Sequence, residues 1–224
     1  MKTASHQRHP NKQTFTMAVQ DSQLLRVIDL AGTFVLAIQG ASIGAEKGLD
    51  FLGVLVISLV TAMGGGIARD LLVGEHPPEA LRGWPVPAVA LAGGLFTIFS
   101  FRVIEQVPEM ALLIVDALGL ALLAVSGVEK AIEYKLTPIA AVIMGAIAGT
   151  GGLTMGEVLL AQIPTILRTD FLASAAILGA IAMVIARNLG LGANWAALLG
   201  GAICFVSRTI AILQHWHLPT PHLH

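Results

Sequence analysis

Residues that lie 87 positions apart match along most of this chain, so the sequence contains two copies of one unit. The shared positions are acids, glycines and a proline: Asp29 and Asp116, Gly40 and Gly127, Gly64 and Gly151, Gly65 and Gly152, Asp70 and Glu157, Pro77 and Pro164. A unit of this length in so apolar a chain holds about three membrane-crossing segments. Because an odd number of crossings turns the second copy upside down, the pattern predicts inverted repeats, which are typical of proteins that pass solutes across membranes.

The composition places the chain in a lipid bilayer. Of its 224 residues, 55% are hydrophobic and 12% are charged, and the mean hydropathy is +0.80, whereas soluble domains carry about a quarter charged residues. The net charge of −1 and the lack of a basic block argue against a nucleic-acid partner. The lone Cys204 offers neither a disulfide nor a metal-binding pair, and no metal site is predicted.

The hydrophobic segments predict an all-α integral membrane protein with seven transmembrane helices. Segments long and apolar enough to cross the bilayer cover 24–43, 51–73, 87–104, 110–128, 138–160, 171–187 and 195–213. The predicted organisation is a disordered N-terminal tail (1–23), a first three-helix repeat (24–105), a second, inverted three-helix repeat (106–190), a seventh helix (191–214) and a C-terminal tail (215–224). Basic residues are more numerous in the loops on the N-terminal side, which predicts a cytoplasmic N-terminus.

Glycine clusters lie at matching places in the second and fifth predicted helices. They comprise Gly64, Gly65 and Gly66 in the first copy and Gly151 and Gly152 in the second. Because consecutive glycines favour interruption of a helix, we expect both helices to be broken near mid-membrane, where freed backbone groups would line a wet pathway. Nearby hydroxyls are further lining candidates: Thr61, Thr150 and Thr154. The alternative is that the glycines only allow close helix packing.

Charged residues follow both clusters. Arg69 and Asp70 lie one turn beyond the first, and Glu157 is the counterpart of Asp70 in the second. Charges at such depth usually face a cavity or a partner, so Arg69 could pair with Glu157 or reach the headgroups. Both a role in the pathway and a purely structural role remain open for these three residues.

Two more acids and one lysine complete the set of charged candidates. Asp29 and Asp116 lie near the start of the first and fourth helices. They could polarise the entrance of a pore or pair with Arg26 or Lys130, although a carboxylate there is also a favourable helix cap. Lys130 could be a gating charge or part of a solvated helix end.

The motifs of common enzyme classes are missing from the sequence. It contains no HExxH and no P-loop, and the glycine clusters lack the lysine that phosphate binding needs. We therefore predict a protein that is not an enzyme and that needs no cofactor.

The segment GGGIARDLLVGEHPP, with its weaker echo GTGGLTMGEVLLAQIP, resembles the bacterial membrane family whose duplicated domain is named glycine transporter. In the same features the chain is similar to the trimeric intracellular cation (TRIC) channels, including prokaryotic members. The resemblance implies a homotrimer in the bacterial inner membrane, with a water-filled path in each protomer that conducts monovalent cations, chiefly K⁺. By position, Gly64, Gly65, Gly66, Gly151 and Gly152 would be the glycines at which the family's helices kink.

The sequence leaves two functions open. A potassium-permeable channel would use carbonyls at the glycines and the nearby acids to favour cations. A secondary transporter of a small solute such as glycine would instead rock its two halves around a central site. A purely structural scaffold explains the paired glycine clusters less well.

Overall fold

The computed structural model of the protein describes residues 12–104, 109–168 and 171–214, with side chains described for 26–100, 110–167 and 171–214. Secondary structure in these residues is helical throughout. The nine helices are α1 (Lys12–Glu46), α2 (Phe51–Leu72), α3 (Glu79–Arg82), α4 (Pro85–Ile104), α5 (Glu109–Glu133), α6 (Pro138–Leu159), α7 (Thr165–Arg168), α8 (Leu172–Asn188) and α9 (Ala193–Leu213). An all-α fold is therefore confirmed.

The helix order repeats with the sequence. Two long helices, one helix of four residues and one further long helix occur as α1 to α4 and again as α5 to α8, with α9 added at the end. Even the helix caps follow the repeat, because Asp50 accepts a hydrogen bond from Gly53 N (2.7 Å) before α2 and Thr137 accepts one from Ala140 N (3.3 Å) before α6. The start of each second helix is thus set by the same local interaction.

Five of the long helices meet the length and hydropathy of a membrane span in the part of the chain that the structure describes. These are α1 (from Arg26), α2, α5 (from Met110), α6 and α9. The apolar portions of α4 and α8 are shorter, at Pro85–Ser100 and Leu172–Asn188. The protein is therefore a multi-pass membrane protein.

The two repeats are related by an inverted two-fold arrangement. Between α1 and α5, Ser126 donates a hydrogen bond to Asp29, and Gln39 donates one to Asp116. Asp116 is the counterpart of Asp29 and Ser126 is the counterpart of Gln39, so the two bonds join equivalent positions. Because position 29 meets 126 and position 39 meets 116, the numbering runs in opposite directions along the two helices. Equivalent helices therefore pack antiparallel, as the sequence predicts.

The glycine clusters do not break their helices, so this prediction is wrong. Both α2 and α6 are helical without interruption through their glycines. A Cβ atom at Gly65 would overlap the carbonyl oxygen of Ala148, and one at Gly152 would overlap the carbonyl oxygen of Thr61. The clusters therefore permit backbone-to-backbone contact between α2 and α6 at the two-fold centre, which is the packing alternative.

The first helix also begins earlier than predicted. It starts at Lys12, so residues 12–23 are helical where the sequence predicts a disordered tail. No proline occurs between Lys12 and Glu46, so nothing in the chain stops the helix after Pro10. Residues 1–11 and the predicted C-terminal tail 215–224 lie outside the described residues.

Candidate functional site

A polar cavity of about 560 Å³ opens among α1, α2, α4 and α5, beside the short helix α3. It extends along α2 as far as Ala62, ten residues before the end of the helix at Leu72. At about 1.5 Å per residue this stretch of α2 is about 15 Å long, which corresponds to half of the thickness of a hydrocarbon core of about 30 Å. Its charged lining is Arg26, Asp29, Arg69, Glu75, Glu79, Arg82, Lys130 and Glu133.

Arg69 is the centre of a buried ion-pair network in the wall of this cavity. Its side chain is only 4% exposed, and its Nε donates to Asp70 (2.9 Å). Its Nη1 donates to both carboxylate oxygens of Asp29 (3.1 and 3.2 Å) and to the hydroxyl of Ser126 (2.6 Å). The guanidinium thus joins α1, α2 and α5 at one point, and its partners are Asp29 and Asp70 rather than the proposed Glu157.

Asp70 and Glu157 have matching structural roles. Asp70 accepts a hydrogen bond from the backbone N–H of Glu79 (2.8 Å), and Glu157 accepts one from the backbone N–H of Thr165 (2.8 Å). Each carboxylate therefore fixes the start of the short helix that follows it, α3 or α7. Neither of the two lines the cavity.

A second ion-pair cluster lies at the mouth of the cavity. Glu75 pairs with Lys130 and with Arg82, both at 2.7 Å, and Lys130 also contacts Glu79 at 3.1 Å. Burial raises the pKa of the Glu75 carboxyl, but its hydrogen bonds and the charges of Lys130 and Arg82 outweigh burial and hold the pKa below its usual value. Lys130, the gating candidate, thus links α5 to the α2–α3 segment across the mouth.

The opposite end of the molecule carries a related cluster around Asp116. The Oδ1 atom of Asp116 accepts a hydrogen bond from Gln39 Nε2 (2.8 Å), and its Oδ2 lies 3.6 Å from Nη2 of Arg208 on α9. Both charged side chains are almost fully buried, at 8% and 5% exposure. Asp29 and Asp116 therefore each have a polar partner from the other repeat and a nearby arginine.

Counterparts of three cavity-lining residues belong to an apolar cluster. Gly66, Thr33 and Lys130 line the cavity, whereas their counterparts Leu153, Leu120 and Ile43 pack together with Leu172, Phe171, Phe205 and Cys204. Positions that line the cavity at one end of the bundle are thus packed with hydrocarbon at the other end.

The structure brings together four of the residues predicted for the site. Gly66, Arg69, Asp29 and Lys130 all line the cavity. Apart from the neighbouring backbone of its own helix, nothing lies within 4 Å of a Cβ atom placed at Gly66, so this glycine faces open space.

The remaining candidates lie in helix contacts. Gly64, Gly65, Gly151 and Gly152 occupy the crossing of α2 and α6.

The three threonines lie away from the cavity. Thr61 is buried in the crossing of α2 and α6, whereas Thr150 donates to Ala146 O (2.8 Å) and Thr154 to Thr150 O (2.9 Å), within their own helix.

Several residues of the two clusters were not predicted from the sequence. Ser126 and Gln39 are counterparts that follow Asp116 and Asp29 by ten positions each, so the repeat register contained a signal for both. Arg208 has no counterpart, because α9 lies outside the two copies. No group of three or more metal-binding side chains occurs among the described residues.

Comparisons with known proteins agree with the duplicated fold. The family model described as Glycine transporter matches twice, at residues 26–102 and 113–188. The inner membrane protein YadS of Escherichia coli K12 is 36% identical over 194 residues, which cover 86% of this chain and 94% of YadS.

Solved structures of TRIC channels share the fold. One, from work on conductance through TRIC cation channels, has a TM-score of 0.82 and 34% identity and covers 89% of this chain and 98% of its own. The TRIC orthologue from Rhodobacter sphaeroides has a TM-score of 0.81 and 32% identity, with 86% and 99% covered. The chain therefore belongs to the Glycine transporter family and is a bacterial member of the TRIC channel family.

Proposed function

We propose that this protein is a potassium-permeable channel for monovalent cations, with one path in each protomer of a homotrimer in the bacterial inner membrane. The observation that carries the proposal is the polar cavity, which follows α2 over a length of about half of the hydrocarbon thickness and contains the buried Arg69 network in its wall. The names of the solved relatives, trimeric intracellular cation channels, and of the inner membrane protein YadS support it.

The proposal includes seven spans. The whole of α4 has 20 residues and α8 has 17, which correspond to about 30 and 26 Å of helix. Both helices pack against the clear spans, α4 against α1 and α2 and α8 against α6 and α9. They therefore complete two inverted three-helix units plus α9.

The arrangement of charges favours cations beside the Arg69 network. The lining has equal numbers of basic and acidic side chains, but the buried Asp70 adds a further carboxylate behind Arg69. Asp29 is the most accessible member of that network, with 23% of its side chain exposed. A cation that enters the cavity can therefore reach the Asp29 carboxylate, whereas Asp70 is shielded.

The experiment is planar-bilayer recording of the purified protein in asymmetric potassium chloride, followed by addition of glycine to one side. Discrete current steps that reverse near the potassium equilibrium potential are the expected result. Silent membranes together with saturable glycine uptake into liposomes would contradict the channel and identify a carrier.

A matched pair of variants tests the location of the path. Asp29→Asn should shift the reversal potential toward zero, because it removes the accessible carboxylate of the cavity. Asp50→Asn removes an exposed carboxylate that caps α2 outside the cavity, and it should leave the reversal potential unchanged. Equal reversal potentials in the two variants would contradict the proposed path.

A further inference from the structure

The buried aspartates of the two repeats obtain their arginines from different places. Asp29 pairs with Arg69 of its own repeat. The counterpart of Arg69 in the second repeat is Gly156, and the space where its side chain would begin is occupied by the hydroxyl of Thr61. Asp116 is instead approached by Arg208 of α9, a helix outside both repeats.

The contact between Arg208 and Asp116 is also much looser than its counterpart. The nitrogen and oxygen atoms are 3.6 Å apart, against 3.1 and 3.2 Å between Arg69 and Asp29. The Nε atom of Arg208 is buried and has no hydrogen-bond partner among the described residues, and the same holds for Oε1 of Gln39 beside it. Buried polar atoms without partners are costly, so this cluster is poorly satisfied in the conformation seen here.

We propose that Arg208 is a tethered cation that occupies the carboxylate site of Asp116 and closes this end of the path, and that a permeating cation takes its place when the path opens. This inference rests on the proposed cation conduction. Asp116 and Gln39 present two oxygen ligands of the kind that bind alkali cations. Asp116 and Arg208 are almost fully buried, at 8% and 5% exposure, so little water reaches the site while Arg208 is in place.

Competition between Arg208 and free cations has a consequence for gating. If K⁺ and the guanidinium share one carboxylate, raising the K⁺ concentration favours the state in which Arg208 has left. Removing the guanidinium takes away an ion pair that only the closed state contains, and breaking a buried pair costs several kcal/mol. The free energy of the closed state should therefore rise relative to that of the open state.

Single-channel recording over a series of potassium chloride concentrations tests this competition. We expect Arg208→Gln to raise the open probability at low K⁺ by about tenfold or more and to abolish its dependence on K⁺. Arg208→Lys, which keeps the charge, should retain the dependence. Arg187→Gln is the matched control, because Arg187 is 29% exposed and lies 3.9 Å from its partner Glu129. Wild-type gating in Arg208→Gln at every K⁺ concentration would overturn the proposal.

A binding measurement separates this inference from the proposed function. The melting temperature (Tm) of purified Arg208→Gln should be higher in potassium chloride than in choline chloride, because K⁺ can then bind Asp116. The double variant Arg208→Gln with Asp116→Asn should show no such difference. A K⁺-specific shift in Arg208→Gln alone supports the site even if all membranes are silent, in which case only the channel function fails. Equal Tm values for Arg208→Gln in the two salts would overturn the site whatever the currents show.

Discussion

Asp29 and Asp116 occupy equivalent positions at opposite ends of the helix bundle, yet their surroundings differ. Asp29 borders a polar cavity of about 560 Å³, whereas Asp116 lies beside an apolar cluster with 8% of its side chain exposed. The interactions that the repeats share are those of the scaffold: the Asp to Ser or Gln bond between repeats and the carboxylate that caps each short helix. The two repeats thus share these scaffold interactions, while a few side chains leave a polar cavity at one end and an apolar cluster at the other.

The largest expected effect is a loss of stability at the contact between α2 and α6. Gly152→Leu should destabilise the protein by about 3 kcal/mol or more, because even its Cβ would overlap a backbone carbonyl that cannot move without moving α2. Thermal unfolding of the purified protein measures the loss. An unchanged Tm would show that α2 and α6 are not in contact at this glycine.

The second substitution, at Gly66, would make the cavity resemble the packed region around Leu153. Gly66→Leu places in the cavity the residue type that Leu153 provides in the second repeat, and we expect loss of most of the unitary current with little change in Tm. The side chain has room to enter, because nothing lies within 4 Å of a Cβ at this glycine. Bilayer recording checks the current, and a full-sized current in the folded variant would remove Gly66 from the path.

The cluster at the cavity mouth should respond to acid. The pKa of Glu75 in the folded protein is below its ordinary value of 4.5, so its ion pairs contribute stability that is fully present above that value. This contribution is lost as the pH falls through the lowered folded pKa. Glu75→Gln should therefore lower Tm at about pH 6 and have a shrinking effect toward about pH 3. A difference between the two proteins that is independent of pH would contradict this assignment.

The smallest expected effect concerns loop positions that the repeats fill differently. Gly74 has φ of +82°, and its counterpart Ala161 has φ of +52°, in the left-handed region that disfavours residues with a Cβ. Ala161→Gly should stabilise the protein by about 0.5 to 1 kcal/mol, because it removes this strain at some cost in chain entropy. Thermal unfolding would show a lower Tm if the backbone strain at Ala161 were negligible.

The long helices and their duplication could be predicted because their signals in the sequence are regular. Long apolar segments and the offset of 87 residues predicted the long helices and their duplication, and the inversion followed from the odd number of crossings. The glycine breaks were wrong because the effect of a glycine depends on what packs against it. At Gly65 and Gly152 the neighbour is a carbonyl of the other helix, which the sequence of either helix alone does not reveal.

The functional side chains were recovered only in part, for a similar reason. Asp29 and Arg69 were found because charges inside apolar segments stand out. Their pairing could not be predicted, because it depends on how α1, α2 and α5 pack together. The contact of Arg208 depends in the same way on the packing of α9 against the second repeat. Glu75 lies in a charged linker, where nothing in the sequence distinguishes a buried ion pair from a solvated residue.

The most direct test of the central claim, that ions pass through the cavity beside Asp29, is cysteine modification during recording. In a Cys204→Ala background, Gly66→Cys should react with a cationic methanethiosulfonate reagent and lose most of its current. Leu153→Cys, buried at the equivalent position, should not react, and Ile139→Cys, at a side chain 75% exposed outside the cavity, should tolerate the reagent with its current unchanged. Complete modification of Gly66→Cys with an unchanged current would contradict a path through the cavity.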